Sequence, residues 1–410
     1  MGGINTENIL ILLCSLVVLS YLFLIVSRYI RVPSVLLLLF AGVGFRFLSD
    51  TYNVTVVFPA SLVEGLGVVG LIMIVLEAGL DLKLSRDRVL LIRNSFFSAL
   101  FILAISIALV MGILYYWHDE PLEKCLVYAI PLSIMSSSIV LPSIHHLNKK
   151  TKEFLVYEAS FSDILGILLF NYFTAENVLS WQSLGLFAGN IVISVLLSVL
   201  LSFVLFLILA KTKLDIKFFL IFALLILIYA GGKNLHLPSL IIILVFGLMI
   251  NNWEMIKWPR LLQWFPQRQV EPLRHLLHSI TAETSFLIRT FFFILFGYSI
   301  TLNFITQSEV WVVGGAIVVA LFVVRLLYLR FFVRTNVFPE SFFIPRGLIT
   351  IVLFYKIPPA YQLSTFNNDI LFFIILTTSV VMMLGMIFYK KRPDQLVEEA
   401  TFAAERNELM

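Results

Sequence analysis

Apolar residues run through this chain in blocks of about twenty, separated by short polar turns, rather than in the one-sided stripes of a soluble helix. A helix rises ~1.5 Å per residue, so about 20 apolar residues cross the ~30 Å hydrocarbon core of a bilayer. Thirteen stretches meet or approach that length: 8–27, 33–49, 60–82, 90–116, 124–146, 153–174, 184–210, 215–231, 236–252, 279–300, 309–333, 341–357 and 366–389. The fourth, seventh and eleventh are long enough to tilt. The eighth, ninth and twelfth are short or interrupted by Gly and Pro. The pattern predicts an all-α polytopic membrane protein with 13 transmembrane helices.

The polar turns orient those spans, because Lys and Arg collect on the cytoplasmic side. Basic residues follow every odd-numbered span: Arg28 and Arg31; Lys83, Arg86, Arg88 and Arg93; Lys149, Lys150 and Lys152; Lys211, Lys213 and Lys217; Lys257, Arg260, Arg268 and Arg274; Arg330 and Arg334; Lys390, Lys391 and Arg392. The alternate turns hold only Arg46, Lys124, Lys233 and Lys356. That bias predicts the N-terminus outside, the C-terminus inside and an odd number of spans.

Composition agrees. The chain has 410 residues, 60% of them hydrophobic and 13% charged, against about 25% charged in soluble chains. A net charge of +4 is too small to suggest nucleic acid. Cys14 and Cys125 make neither a disulfide framework nor a metal motif and read as apolar packing residues; no cofactor is implied. The first span follows Glu7 rather than a basic cluster, and reads as a retained helix, not a cleaved signal. Residues 253–278, with Trp253, Trp258 and Trp264 among basic residues, read as an amphipathic segment on the cytoplasmic membrane surface. Residues 1–392 form the membrane domain, and 393–410 a short cytoplasmic tail in which no nucleotide-binding domain is expected.

Two halves of the chain correspond at an offset of seven spans. Span three ends L-E-A-G-L-D-L-K-L (76–84) and span ten L-F-G-Y-S-I-T-L (295–302), with Gly79 and Gly297 in matching places. Span five is interrupted at Ser136–Ser138, between Pro131 and Pro142, and span twelve at Pro345, Arg346 and Gly347. An odd offset inverts the second copy. Paired interrupted helices in two inverted repeats point to a transporter binding site.

The chemistry collects between Ser133 and Gly166. Asp163 lies ten residues into span six from Glu153, about 15 Å along the helix and near mid-membrane. Ionisable groups there are expensive and mark ion pathways. A desolvated carboxylate can hold a proton or a monovalent cation but not both, which couples the two. The alternative is a structural Asp bonded to a neighbouring helix. Ser162 beside it, and Ser137 and Ser138 in the span-five break, offer oxygen ligands for Na⁺ or K⁺; as alternatives they merely permit close helix packing. Glu158 lies about 100–140° round the same helix from Asp163. It needs a cation, because a lone buried carboxylate neutralises or destabilises the fold. Arg346 and Arg289 are the candidates; Arg346 is preferred as a structural ion pair with Glu158, leaving Arg289 to compensate charge beside the cavity. Arg325, nearer a helix end, is read as snorkelling to the interface. His145 and His146, at the cytoplasmic end of span five, are read as solvated. Glu77 and Asp81 are read as contacts of the following basic loop.

At L-E-A-G-L-D-L-K (76–83), S-S-S-I-V-L-P-S (136–143), Y-E-A-S-F-S-D-I-L-G (157–166), R-T-F-F-F-I-L-F-G (289–297) and P-R-G (345–347), the sequence resembles the monovalent cation/proton antiporter superfamily, nearest its electroneutral NhaP-like branch. The resemblance implies two inverted six-helix repeats with crossed discontinuous helices (spans five and twelve). It implies a transport core (about 60–175 and 279–389) that moves elevator-like against a dimerisation part (about 1–50 and 184–252), and Asp163 as the ion- and proton-binding carboxylate. Relatives often carry Asn-Asp or Asp-Asp at 162–163, and Thr-Asp in the span-five break. Here stand Ser162-Asp163 and Ser137-Ser138.

The leading expectation is therefore a homodimeric antiporter of the cell (inner) membrane, not an enzyme, exchanging Na⁺ or K⁺ for H⁺, electroneutrally. The alternatives are a Na⁺-coupled symporter of a small organic anion on the related fold, or a cation-gated receptor or channel. A serine hydrolase built on Ser136–Ser138 lacks any Gly-x-Ser-x-Gly elbow.

Overall fold

The computed structural model describes residues 6–30, 32–52, 60–84, 88–144, 147–174, 192–201, 218–234, 239–253, 267–299, 306–333 and 338–389, with a few isolated residues between 185 and 204. His145, His146, residues 254–266 of the interfacial segment and the tail 393–410 lie outside them. The helices are α1 (Thr6–Ile30), α2 (Ser34–Thr51), α3 (Ala60–Asp81), α4 (Val89–His118), α5 (Leu122–Ser133), α6 (Ser137–Ser143), α7 (Lys149–Phe173), α8 (Phe218–Asn234), α9 (Ser239–Asn251), α10 (Gln267–Tyr298), α11 (Ser308–Tyr328), α12 (Leu348–Tyr355) and α13 (Asn368–Phe388). An apolar helical stretch, Val192–Leu201, belongs to the expected seventh span. Among the described residues, six helical segments are long and apolar enough to cross a membrane: Ser34–Thr51, Val89–His118, Leu122–Ser143, Arg274–Tyr298, Ser308–Val333 and Asn368–Phe388.

The helices pack in two groups. In one, α2 lies along α10 and α3 along α9, with α3 against α10, α1 on α2 and α8 on α9. Both long crossings are made by facing glycines. A Cβ added to Gly42 would stand 2.9 Å from the Cα of Gly297, and one added to Gly79 would stand 3.1 Å from the Cα of Gly247. Helices in lipid gain nothing from excluding water between them, so backbone-to-backbone contact of this kind supplies the packing attraction instead. In the other group, α4 packs on α5, α7 and α11, α11 on α13, and α12 on α5. The second group holds both interruptions. Span five is α5 and α6 separated by residues 134–136. Span twelve begins in a single 3-10 turn (Glu340–Phe342), is non-helical over 343–347 and is α-helical from Leu348.

Candidate ion site

The two interruptions put polar backbone where lipid offers no partner, so every freed amide and carbonyl needs one inside the protein. Pro131 already lacks the amide that would close α5's last turn. Ile134 and Ser136 then turn extended, with ψ of 128° and 116°. Three successive amides are freed, and each finds a different acceptor. Met135 N donates to Ser162 Oγ (2.9 Å), Ser136 N to the carbonyl of Pro345 (3.0 Å), and Ser137 N to Asp163 Oδ2 (3.1 Å). The break is thus pinned to α7 on one side and to the second break on the other.

The freed carbonyls are claimed by guanidinium groups. Arg346 Nε donates to the carbonyl of Leu132 (2.9 Å), Nη2 to that of Ser133 (3.0 Å) and Nη1 to that of Ile344 (2.6 Å). Its backbone amide donates to Thr378 Oγ1 (3.2 Å). A positive charge at the carbonyl end of α5 is also favoured by the helix dipole. Where the two breaks cross, Gly347 is required: a Cβ there would lie 2.5 Å from Ser136 Oγ and 2.9 Å from Ser136 Cβ.

Glu158 does not pair with Arg346. Its partner is Arg325 of α11, whose Nη2 donates to Oε2 at 2.7 Å and Nη1 to Oε1 at 3.2 Å. Ser98 Oγ adds a hydrogen bond to Oε1 (2.6 Å), and Arg325 Nε donates to the carbonyl of Glu340 (2.6 Å). The expectation that Arg325 snorkels fails because α11 is packed on α4 and α13, enclosing a side chain that its position near the helix end would otherwise expose. Arg325 is only 1% exposed. Arg346 instead gives three of its five N–H donors, one each from Nε, Nη1 and Nη2, to backbone carbonyls. A forked, doubly hydrogen-bonded pair is also the geometry in which a buried arginine–carboxylate bridge is strongest.

Asp163 makes no ion pair with any described residue; buried Glu340, just before the second break, makes none either, but Thr151 Oγ1 donates to its Oε1 (2.8 Å). Asp163 is 1% exposed, and its Oδ1 is buried and accepts no hydrogen bond from any described residue. Ser137 and Ser138 flank it in the first turn of α6, Ser138 Oγ sharing a hydrogen bond with Ser136 Oγ (2.8 Å). Gly166, one turn on, leaves room for Ile134. Ser162 points its oxygen at Met135 N, so it anchors the break beside Asp163. Arg289 of α10 donates from Nη1 to the carbonyl of Ser138 (2.9 Å), and its Nη2 lies 3.5 Å from Glu77 Oε1 of α3. Glu77 therefore contacts α10 rather than the basic loop, and Asp81 likewise meets His278 (2.9 Å). Of the expected residues, the structure gathers Asp163, Ser162, Ser137, Ser138 and Arg289 round one break. It gives Arg346 a backbone task and moves the Glu158 pair to Arg325. The overlooked signal for Arg325 was its place inside the apolar run V-V-R-L-L, where an unpaired charge is costly.

This oxygen-rich junction suits a hard monovalent cation. The sodium/hydrogen exchanger transmembrane model matches residues 14–390. The chain belongs to the sodium/hydrogen exchanger family. Its members are transporters, not enzymes. The fold is that of the sodium proton antiporter MjNhaP1 from Methanocaldococcus jannaschii: against its structure at pH 8 the TM-score is 0.68 at 19% identity, covering 93% of this chain and 98% of that one. Against an electron-microscopy map of the same antiporter the TM-score is 0.63 at 17% identity, covering 98% and 97%. No curated protein sequence matches the chain closely enough to count as a relative. Membership in this exchanger family and the several apolar helices make the chain a multi-pass membrane protein.

Proposed function

We propose that this exchanger swaps Na⁺ (or K⁺) for H⁺ by letting the two compete for Asp163, with Ser137, Ser138 and Ser162 around it. The observation that carries this reading is the pair of Asp163 oxygens: Oδ2 holds the amide of Ser137, and Oδ1 is buried with no described donor. A carboxylate so placed accepts one positive charge, as a proton or as a desolvated cation. Glu158 is neutralised by Arg325 and Glu340 is held by Thr151, so Asp163 is the acid at the break that we assign to cargo, and one H⁺ for one Na⁺ makes the cycle electroneutral.

Alternating access of the elevator type follows if the group holding both breaks moves against the other. What supports that division is the packing: α3 and α10 lie chiefly on α9 and α2, so we assign them to the static part and keep α4–α7 and α11–α13 as the transport core. The glycine crossings support two inverted six-helix repeats offset by seven spans. Gly42 of α2 meets Gly297 of α10, as Gly247 of α9 meets Gly79 of α3. The same reading has thirteen spans, the N-terminus outside, a homodimer built round α1 and α8, surrounding membrane lipids, and a place in the cell (inner) membrane.

The test is proton flux in proteoliposomes driven by Na⁺, K⁺ and Li⁺, with and without a clamp on membrane potential. Asp163→Asn should abolish cation-driven proton movement while the protein still folds; unchanged exchange overturns the assignment. Flux that depends on the clamp sinks electroneutrality, and a requirement for an added organic anion favours the symporter alternative.

A further inference from the structure

Helical carbonyls normally accept from the amide four residues on. For Ser138 that residue is Pro142, which has no N–H. Proline inside α6 therefore frees one carbonyl in the turn that binds Asp163, and Arg289 Nη1 occupies it at 2.9 Å. The same guanidinium reaches toward Glu77, Nη2 to Oε1 at 3.5 Å, and its Nε is buried with no described partner. The hold is thus divided between a short bond to α6 and a looser one to α3. The short bond keeps a full positive charge one residue from Ser137, whose amide binds Asp163.

We propose that Arg289 is a tethered competitor of the transported cation, its grip on α6 set by Pro142 and its charge offset by Glu77. Like charges repel strongly in a low-dielectric interior, so a guanidinium seated on Ser138 weakens cation binding at Asp163. Glu77 cancels part of that field and gives the guanidinium a second resting place when cargo arrives. Arg289 is a positioning residue in this scheme and does not touch cargo. This rests on Asp163 being the cation site.

The scheme sets opposite signs for two neutralising substitutions. Arg289→Gln removes the competitor and should lower the Na⁺ concentration giving half-maximal exchange by about three- to tenfold. Glu77→Gln leaves the guanidinium uncompensated on Ser138 and should raise that concentration by a similar factor. Pro142→Ala returns an amide to the Ser138 carbonyl, loosens Arg289 and should lower the concentration, with every charge retained. A purely structural role would reduce the amount of folded protein in all three and leave half-saturation alone. If Arg289→Gln does not assemble, Glu77→Gln and Pro142→Ala decide, and shifts in the same direction or none overturn the proposal. Asp163→Asn run in parallel separates the two ideas. Exchange surviving in Asp163→Asn refutes the site itself; a silent Asp163→Asn with parental half-saturation in the others refutes only the competitor.

Discussion

The two breaks that cross at the centre of this protein solve one problem in opposite ways. The first, residues 134–136, lies between two helices and brings no charge of its own; its amides borrow Ser162, Pro345 and Asp163 from elsewhere. The second, residues 343–347, is preceded by only a single turn, Glu340–Phe342, and carries its own cation, Arg346, which caps the carbonyls of the first. The acid at the crossing is imported and the base is built in. The difference teaches which charge is free to work. Arg346 spends Nε and both Nη atoms on backbone oxygens and is structural; Asp163 keeps an oxygen unengaged by any described residue, which is what the proposed exchange requires.

The largest expected effect tests that division directly. Arg346→Gln leaves the buried carbonyls of Leu132, Ser133 and Ile344 short of donors, and should cost about 3–5 kcal/mol of stability. Thermal unfolding of the purified protein in detergent reads this, against an Asp163→Asn control that keeps its fold. Should Arg346→Gln unfold no earlier than that control, the structural role given to the second break is wrong.

A smaller effect sharpens the same contrast at the neighbouring charge pair. Glu158→Gln and Arg325→Gln each strand a buried partner, and in a double-mutant cycle they should couple by about 1.5–3 kcal/mol. Glu158→Gln combined with Arg346→Gln should add to within about 0.5 kcal/mol. Coupling that appeared with Arg346 rather than Arg325 would restore the pairing the sequence suggested.

That mistaken pairing marks how far the sequence reaches. Six of the spans are legible from apolar length alone, and both interruptions and the polar set round Asp163 because each violates what lipid tolerates, and such violations are visible one residue at a time. The partner of Glu158 is not legible in that way. Choosing between Arg289, Arg325 and Arg346 depends on which helix faces α7, and periodicity within a span of uniformly apolar residues carries no facing information. The position of Arg325 along α11 suggests exposure, while its enclosure comes from the neighbours of α11. The placing of α3 and α10 beside α2 and α9 was hidden for the same reason. Gly79 and Gly297 match in the sequence, but each touches a glycine, Gly247 or Gly42, whose role no local pattern announces.

The broken helices also meet far from their crossing, and there the expected effect is smallest. Tyr128 Oη of α5 accepts from Leu363 N (3.3 Å), and Glu120, just before α5, accepts from the backbone and hydroxyl of Ser364 in the segment after α12. Ser364 and then Lys124 hold the Glu120 carboxyl at about 2, well below its usual value near 4.5. A lowered carboxylate favours the folded state fully above its unfolded value, and that contribution is lost as pH falls toward the folded value. The thermal midpoint of the parent protein should therefore fall between about pH 4.5 and about pH 2 more steeply than that of Glu120→Gln, while at neutral pH the parent is modestly the more stable. Because this contact lies at the surface, salt should shrink the difference between the two proteins, whereas the Arg346 effect at the buried crossing should not respond to salt. Equal salt sensitivity at both places would mean that water reaches the crossing, and the contrast between a working acid and a buried, structural base would fail with it.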